Sequence, residues 1–165
     1  TSLAILRDGV VTIVAKCDPD GPVRVVQEVG VTRPLHCTAV GKALAAWLPA
    51  GELAGLLGRL TLRRQTPRTL TTRAAFRREL ARIRATGFAL DNEEHIEGIR
   101  CIATPVRDHS GEVRASLCVL GPKSRLPQRR LAELRKSLAA ALSGRLGHGS
   151  MDSWATGCPE MSCDR

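Results

Sequence analysis

Tyrosine is absent from this chain of 165 residues, and only two Phe and two Trp are present. The interior must therefore be built from aliphatic side chains, and the stacked aromatic platforms that grip single-stranded nucleic acid are excluded. Lysine is nearly as scarce: arginine outnumbers it 21 to 4, a skew that GC-rich coding also produces. No apolar run approaches the roughly 18 residues that suggest a membrane span. The N-terminus lacks the basic start, apolar middle and small-residue cleavage site of an export signal. Six cysteines, at positions 17, 37, 101, 118, 158 and 163, form no CxxC pair and no zinc-ligand spacing. A cytoplasmic chain with reduced thiols is expected, several of them acting as small buried hydrophobes, with no metal and no cofactor.

An apolar content of 43% suits one domain with a real core. The formal charge of +9 raises nucleic-acid binding as a reading. The basic residues are nevertheless spread out, with local density only at Arg63–Arg64, Arg73 to Arg84 and Arg125 to Arg135. Solvated helix faces explain those clusters. Direct binding of duplex DNA would require a continuous positive face and a steep dependence on salt.

Asp8-Gly9, between two strand-like runs, signals a hairpin, and the turn residues 18–22 lead to the apolar run 23–29. A three-strand antiparallel meander is expected from these. Thr38 is placed to cap a helix whose apolar stripe is Val40, Leu44, Trp47 and Leu48, stopped by Pro49. A short helix at 52–57 and an amphipathic helix at 72–86 follow, the latter carrying Phe76, Leu80 and Ile83 and closed by Gly87. Residues 88–90 read as extended, 101–107 and 113–120 as a hairpin, and about 128–146 as a closing helix. Residues 148–165 show no periodicity and are expected to be a disordered tail.

Three places carry candidate chemistry. In RPLHCTAVG (33–41) the start of a helix presents unpaired N–H groups, with Arg33 able to add a bidentate contact to a carboxylate. Small residues at Ala39 and Gly41 would let a ligand approach the backbone, and His36 could donate to an anion. The same segment also reads as an ordinary capped helix with Arg33 in solvent and His36 structural; spacing does not decide. In DNEEHIEG (91–98) four carboxylates fall close together, but no further ligand stands at a defined spacing, so a solvated loop competes with acid–base or metal chemistry. Along 113–120, strand alternation puts Val113, Ala115, Leu117 and Val119 on one face and Arg114, Ser116, Cys118 and Leu120 on the other.

Taken together, LHCTAVGKALAAWL (35–48) and the stretch RTLTTRAAFRRELARIRATGFALDNEEHIEGIRCIATPVRDHSGEVRASLCVLGP (68–122) resemble the effector-binding domain of IclR-type transcriptional regulators. The likeness runs through roughly residues 3–147. It implies an α/β, GAF-like (profilin-like) domain: a curved antiparallel sheet of about six strands, flanking helices and a ligand cavity on one face. It implies a small-molecule sensor, not an enzyme, working as a dimer or tetramer. DNA would be bound only through an N-terminal winged helix-turn-helix domain that this chain does not contain, and no membrane is involved.

By the same resemblance Arg33, Ala39, Val40, Asp91, Cys101, Cys118 and Leu120 line the effector cavity. His36 and Thr38 belong to the same motif, and the glutamates after Asp91 are left as surface or interface groups. Asp91 would accept from a ligand hydroxyl or pair with Arg33. Small-acid sensors of the family carry Ser at the two positions held here by Cys118 and Leu120. That departure points to a more apolar pocket and a carboxylate with an apolar part, an aromatic acid being one candidate. A different class remains open: a cysteine enzyme of GAF-like fold, reducing methionine sulfoxide with Cys37, Cys101 and Cys118, the first activated by the helix start behind it.

Overall fold

A computed structural model describes residues 1–18, 25 and 27–143. The expected tail and the last residues of the closing helix lie outside them. β1 (Ser2–Arg7) and β2 (Val10–Lys16) pair antiparallel across Asp8 and Gly9. Those two residues take φ of 52° and 79°, the left-handed pair that a type I′ hairpin turn requires.

The third strand is not the apolar run expected at 23–29. Of that run residues 25 and 27–29 are described, and none is strand. β3 is instead Thr32–Arg33, paired with Val11 and Thr12. Gly30, at φ 87°, turns the chain so that its own N–H donates to the Ile13 carbonyl and Ile13 N–H donates to the Val31 carbonyl. The edge of β2 is thus taken up by residues after the glycine. The meander survives with a later, shorter third strand.

α1 (Ala39–Ala45) is buried along its whole length. Thr38 caps it, accepting from Gly41 N–H at 3.2 Å and donating to the Pro34 carbonyl at 2.7 Å. α2 (Ala50–Arg59) is longer than the expected 52–57. α3 (Arg73–Thr86) runs from a Thr72 cap to a left-handed Gly87, and its Phe76, Leu80 and Ile83 are buried as the spacing predicts. Each such side chain contributes about 1.5–3 kcal/mol of burial. β4 (Ala89–Asn92), β5 (Ile99–Arg107), β6 (Val113–Pro122) and α4 (Gln128–Ser143) complete the chain.

The six strands form one antiparallel sheet in the order β3-β2-β1-β6-β5-β4. α1, α2 and α3 cover one face, packing with Ala4, Ile13, Ala103 and Cys118. α4 covers the other, with Leu131 and Leu138 against Ile102, Leu117 and Val119. The alternation expected along β6 fails at its first residue. A register shift opposes Arg107 to Val113 but Val106 to Ala115, so one extra residue sits in β6. Val113 therefore packs in the same cluster as Cys118 and Leu120, not with Leu117 and Val119. No described helix is long and apolar enough to cross a membrane.

Candidate functional site

Where β4, β5 and β6 pass under the start of α1, a cavity of about 60 Å³ opens. All seven residues expected to line a ligand site border it: Arg33, Ala39, Val40, Asp91, Cys101, Cys118 and Leu120. Sheet register explains the convergence. Asp91 on β4 stands opposite Cys101 on β5, and Cys101 stands opposite Leu120 on β6. Cys118, two residues along β6, faces the same side. Arg33 enters from β3 and Ala39 and Val40 from α1, which follows six residues later.

Val25, Gln27, Thr38, His95, Ile96 and Ile99 also border the cavity. Ile99 was findable, since it shares a strand face with Cys101 by period two. His95 and Ile96 sit in a turn, where no periodicity points inward.

The Arg33 side chain has no hydrogen bond or ion pair to any described residue, although its backbone pairs with Val11 in the sheet; of the two roles expected for Asp91, pairing with Arg33 is not the one formed. The Asp91 carboxylate is occupied differently: Oδ1 accepts from the backbone N–H of Glu94 at 2.7 Å and of His95 at 3.4 Å. Burial pushes the Asp91 carboxyl up to about 7, against the pull of those N–H donors and of Lys42. His95 is held below the usual histidine value by burial and by the positive charge of Arg33. The cavity thus presents one guanidinium, a neutral imidazole and a carboxyl that titrates near neutrality, against walls of thiol and aliphatic carbon.

The glutamates expected at the surface are not all there. Glu94 is buried, and its Oε1 accepts from Lys42 Nζ at 2.6 Å. Lys42 is fully buried on α1; it also donates to the Leu90 carbonyl at 2.6 Å and lies 3.5 Å from Glu79 of α3. Burial raises Glu94, whereas for Glu79 burial is outweighed by Arg82 and Lys42 and its pKa falls. Glu93 bridges to Lys123 at 2.8 Å and Arg68 at 3.8 Å, and only Glu97 of the three is exposed. A buried ammonium needs its partners, because an unpaired charge there is costly. The turn after β4 that carries Glu94 and His95 is thereby tied to α1, and further held by Thr66 and Thr69 hydroxyls donating to the Glu93 and Glu94 carbonyls at 2.7 Å.

Two further expectations are corrected. Gly41 does not leave room for a ligand: a Cβ there would stand 2.4 Å from the Leu35 carbonyl oxygen, so the glycine serves the close seating of α1 on its own preceding turn. Cys37 is not activated by the helix start. Burial and the charges of Asp91 and Glu94 push its thiol up to about 12, and it does not border the cavity. The structural reading of His36 holds: it is buried, with Nε2 2.9 Å from the Arg63 carbonyl. Among the described residues, no group of three or more His, Cys, Asp or Glu side chains is arranged to hold a metal.

Comparison with known proteins agrees with this geometry. The family described as bacterial transcriptional regulator IclR C-terminal matches residues 1–143. The HTH-type transcriptional regulator XynR of Escherichia coli (strain K12) is 42% identical over 123 residues, covering 73% of this chain and 49% of that protein. BhcR of Paracoccus denitrificans is 36% identical over 140 residues, covering 85% and 50%. The chain thus spans about half the length of these curated relatives. Among solved structures, the inducer-binding domain of the PobR transcription factor from Acinetobacter, a double mutant in complex with 3-hydroxybenzoic acid, superposes with a TM-score of 0.74. It is 28% identical, over 86% of this chain and 85% of that one.

Proposed function

This chain belongs to the IclR family of bacterial transcriptional regulators, matched through the C-terminal domain, and we propose that it binds a small organic anion as a signal without transforming it. The observation that carries this reading is the cavity itself. Seven side chains from four strands and a helix meet around one space, and the one cation among them, Arg33, has no partner among the described residues. A guanidinium so placed offers a carboxylate two parallel hydrogen bonds. Cys101, Cys118 and Leu120 then face the apolar part of the ligand. The likeness to a domain that holds 3-hydroxybenzoic acid supports an aromatic or similarly apolar acid.

Size makes the binding informative to the rest of the protein. At about 60 Å³ the cavity is far below the roughly 300 Å³ at which ligand clefts begin, so an aromatic acid enters only by displacing the wall. A ligand that binds one arrangement better than another shifts the balance between them. In the whole protein, on this reading, that shift is passed through self-association to an N-terminal helix-turn-helix domain that contacts DNA in the cytoplasm. On this reading the sensing unit is the part of the chain that the family matches, residues 1–143.

The reading is tested by calorimetric titration with a panel from keto acids to hydroxybenzoates, run on the native chain and on Arg33→Ala. Losing a charged, bidentate contact costs about 1.5–3 kcal/mol, so the best acid should bind roughly tenfold to a hundredfold more weakly. Equal affinity in the two proteins would refute the anion site.

A further inference from the structure

The polar side chains around the cavity divide into those already engaged and two that are not. The Thr38 hydroxyl donates to the Pro34 carbonyl and accepts from Gly41 N–H. Asp91 accepts from two backbone N–H groups, and His95 Nδ1 lies 3.9 Å from Cys37 Sγ. Cys101 Sγ donates to the Ile102 carbonyl at 4.0 Å, and Cys118 Sγ lies 3.1 Å from Ser2 Oγ. The two left over are Arg33 and Gln27, on either side of the Gly30 turn. The Arg33 guanidinium can only donate. Gln27 Oε1 can only accept, and it is shut away from solvent with no hydrogen-bond partner. Of the buried unpaired atoms among the described residues, it is the one on a side chain that lines the cavity. Donor and acceptor border the same space and do not satisfy each other.

A buried acceptor without a partner costs the folded state stability, and that cost is recovered when a ligand supplies the missing donor. We propose that Gln27 is a specificity residue of the cavity, selecting acids that carry a hydroxyl group in addition to the carboxylate. The inference rests on the reading of Arg33 as an anion site given above. The ligand carboxylate accepts from the guanidinium, and the ligand hydroxyl donates to Gln27 Oε1. A cationic donor is disfavoured, because it would share a small enclosed space with the Arg33 charge. A neutral hydroxyl brings a donor without a charge to desolvate.

The rest of the wall cannot make this choice. Val40, Ile99 and Leu120 offer only aliphatic contact, and such surfaces discriminate weakly between acids of similar shape. A site built around a hydroxyl discriminates sharply, because an analogue lacking it leaves the protein's acceptor buried and unpaired. Gln27 thus adds chemical selection to a pocket that otherwise reads charge and shape.

The test is calorimetric titration of the full chain with benzoate, the meta and para hydroxybenzoates, propionate and lactate, repeated on Gln27→Met. Methionine keeps the unbranched side chain and removes the acceptor. The native chain should prefer a hydroxylated acid over its parent by roughly tenfold or more. In Gln27→Met that preference should fall to near parity, with the parent acid binding as before. Thermal melts without any acid give a second readout: Gln27→Met should melt higher than the native chain, since it buries no unpaired oxygen. A variant that keeps the preference overturns the proposal and gives the hydroxyl to Asp91. A variant that melts lower overturns it too, because the amide is then already paired in the free protein. Acids that bind both proteins without discrimination refute the role of Gln27 and leave the anion site standing. A native chain that binds none of them refutes both.

Discussion

Asp91→Asn should make the domain's stability less sensitive to pH, and the size of the effect follows from the carboxyl's position. A carboxyl ordinarily titrates near 3.8; in the folded chain Asp91 titrates at about 7. The folded state therefore holds a proton that the unfolded chain has released. The stabilisation is fully present below the unfolded value and is lost as pH rises through the folded one. A displacement of about three units corresponds to about 4 kcal/mol over the whole window, of which about 2 kcal/mol falls between pH 5 and pH 7. The asparagine keeps the acceptor that Glu94 and His95 N–H groups use, so it removes the titration while preserving the contact. His36 and His95, both lowered by burial, bend the native curve the other way. The difference between native and variant curves isolates Asp91. Urea unfolding at half-unit steps of pH should give a variant whose advantage grows with pH by about 2 kcal/mol from pH 5 to pH 7. Parallel curves would refute the burial argument, and a difference of opposite sign would mean that the carboxylate is stabilised as an anion.

Lys42→Met should lower stability by about 3–5 kcal/mol, because it leaves Glu94 buried without its cation; Lys42→Met with Glu94→Leu should recover much of the loss in the same urea assay. Gly41→Ala should cost roughly 3 kcal/mol or more, since its Cβ meets the Leu35 backbone, which cannot yield as a side chain does. Gly55→Ala, where a Cβ meets nothing, should instead stabilise α2 by about 0.5–1 kcal/mol. Thermal melts of the two alanine variants should move in opposite directions.

The buried cation connects these effects. Lys42 joins the helix that borders the cavity to the turn that holds Asp91, and reaches α3 through Glu79. A ligand that displaces the turn must disturb a buried ion pair, and interfaces of that kind respond in discrete steps because packed groups cannot stretch gradually. The wall of the cavity and the outer helix are thus mechanically linked by charge.

Local chemistry was legible in the residues alone. The cap at Thr38, the stop at Gly87 and the Asp8-Gly9 turn each depend on a few neighbouring atoms, and each formed where the spacing places it. Family resemblance carried the seven cavity residues, and period-two alternation made Cys118 and Leu120 mutually consistent. What tertiary structure alone decided lies in contacts between distant segments. β3 formed after Gly30 because backbone groups of Ile13 select their partner in space, not by apolarity. Val113 changed sides because an extra residue in β6 shifts its parity. Lys42 and Glu94, fifty-two positions apart, read as ordinary surface charges until packing removes the water around them. Whether a polar group is solvated or buried, and so what it titrates with and what it can bind, is a property of the surrounding volume, and a linear pattern does not contain that volume.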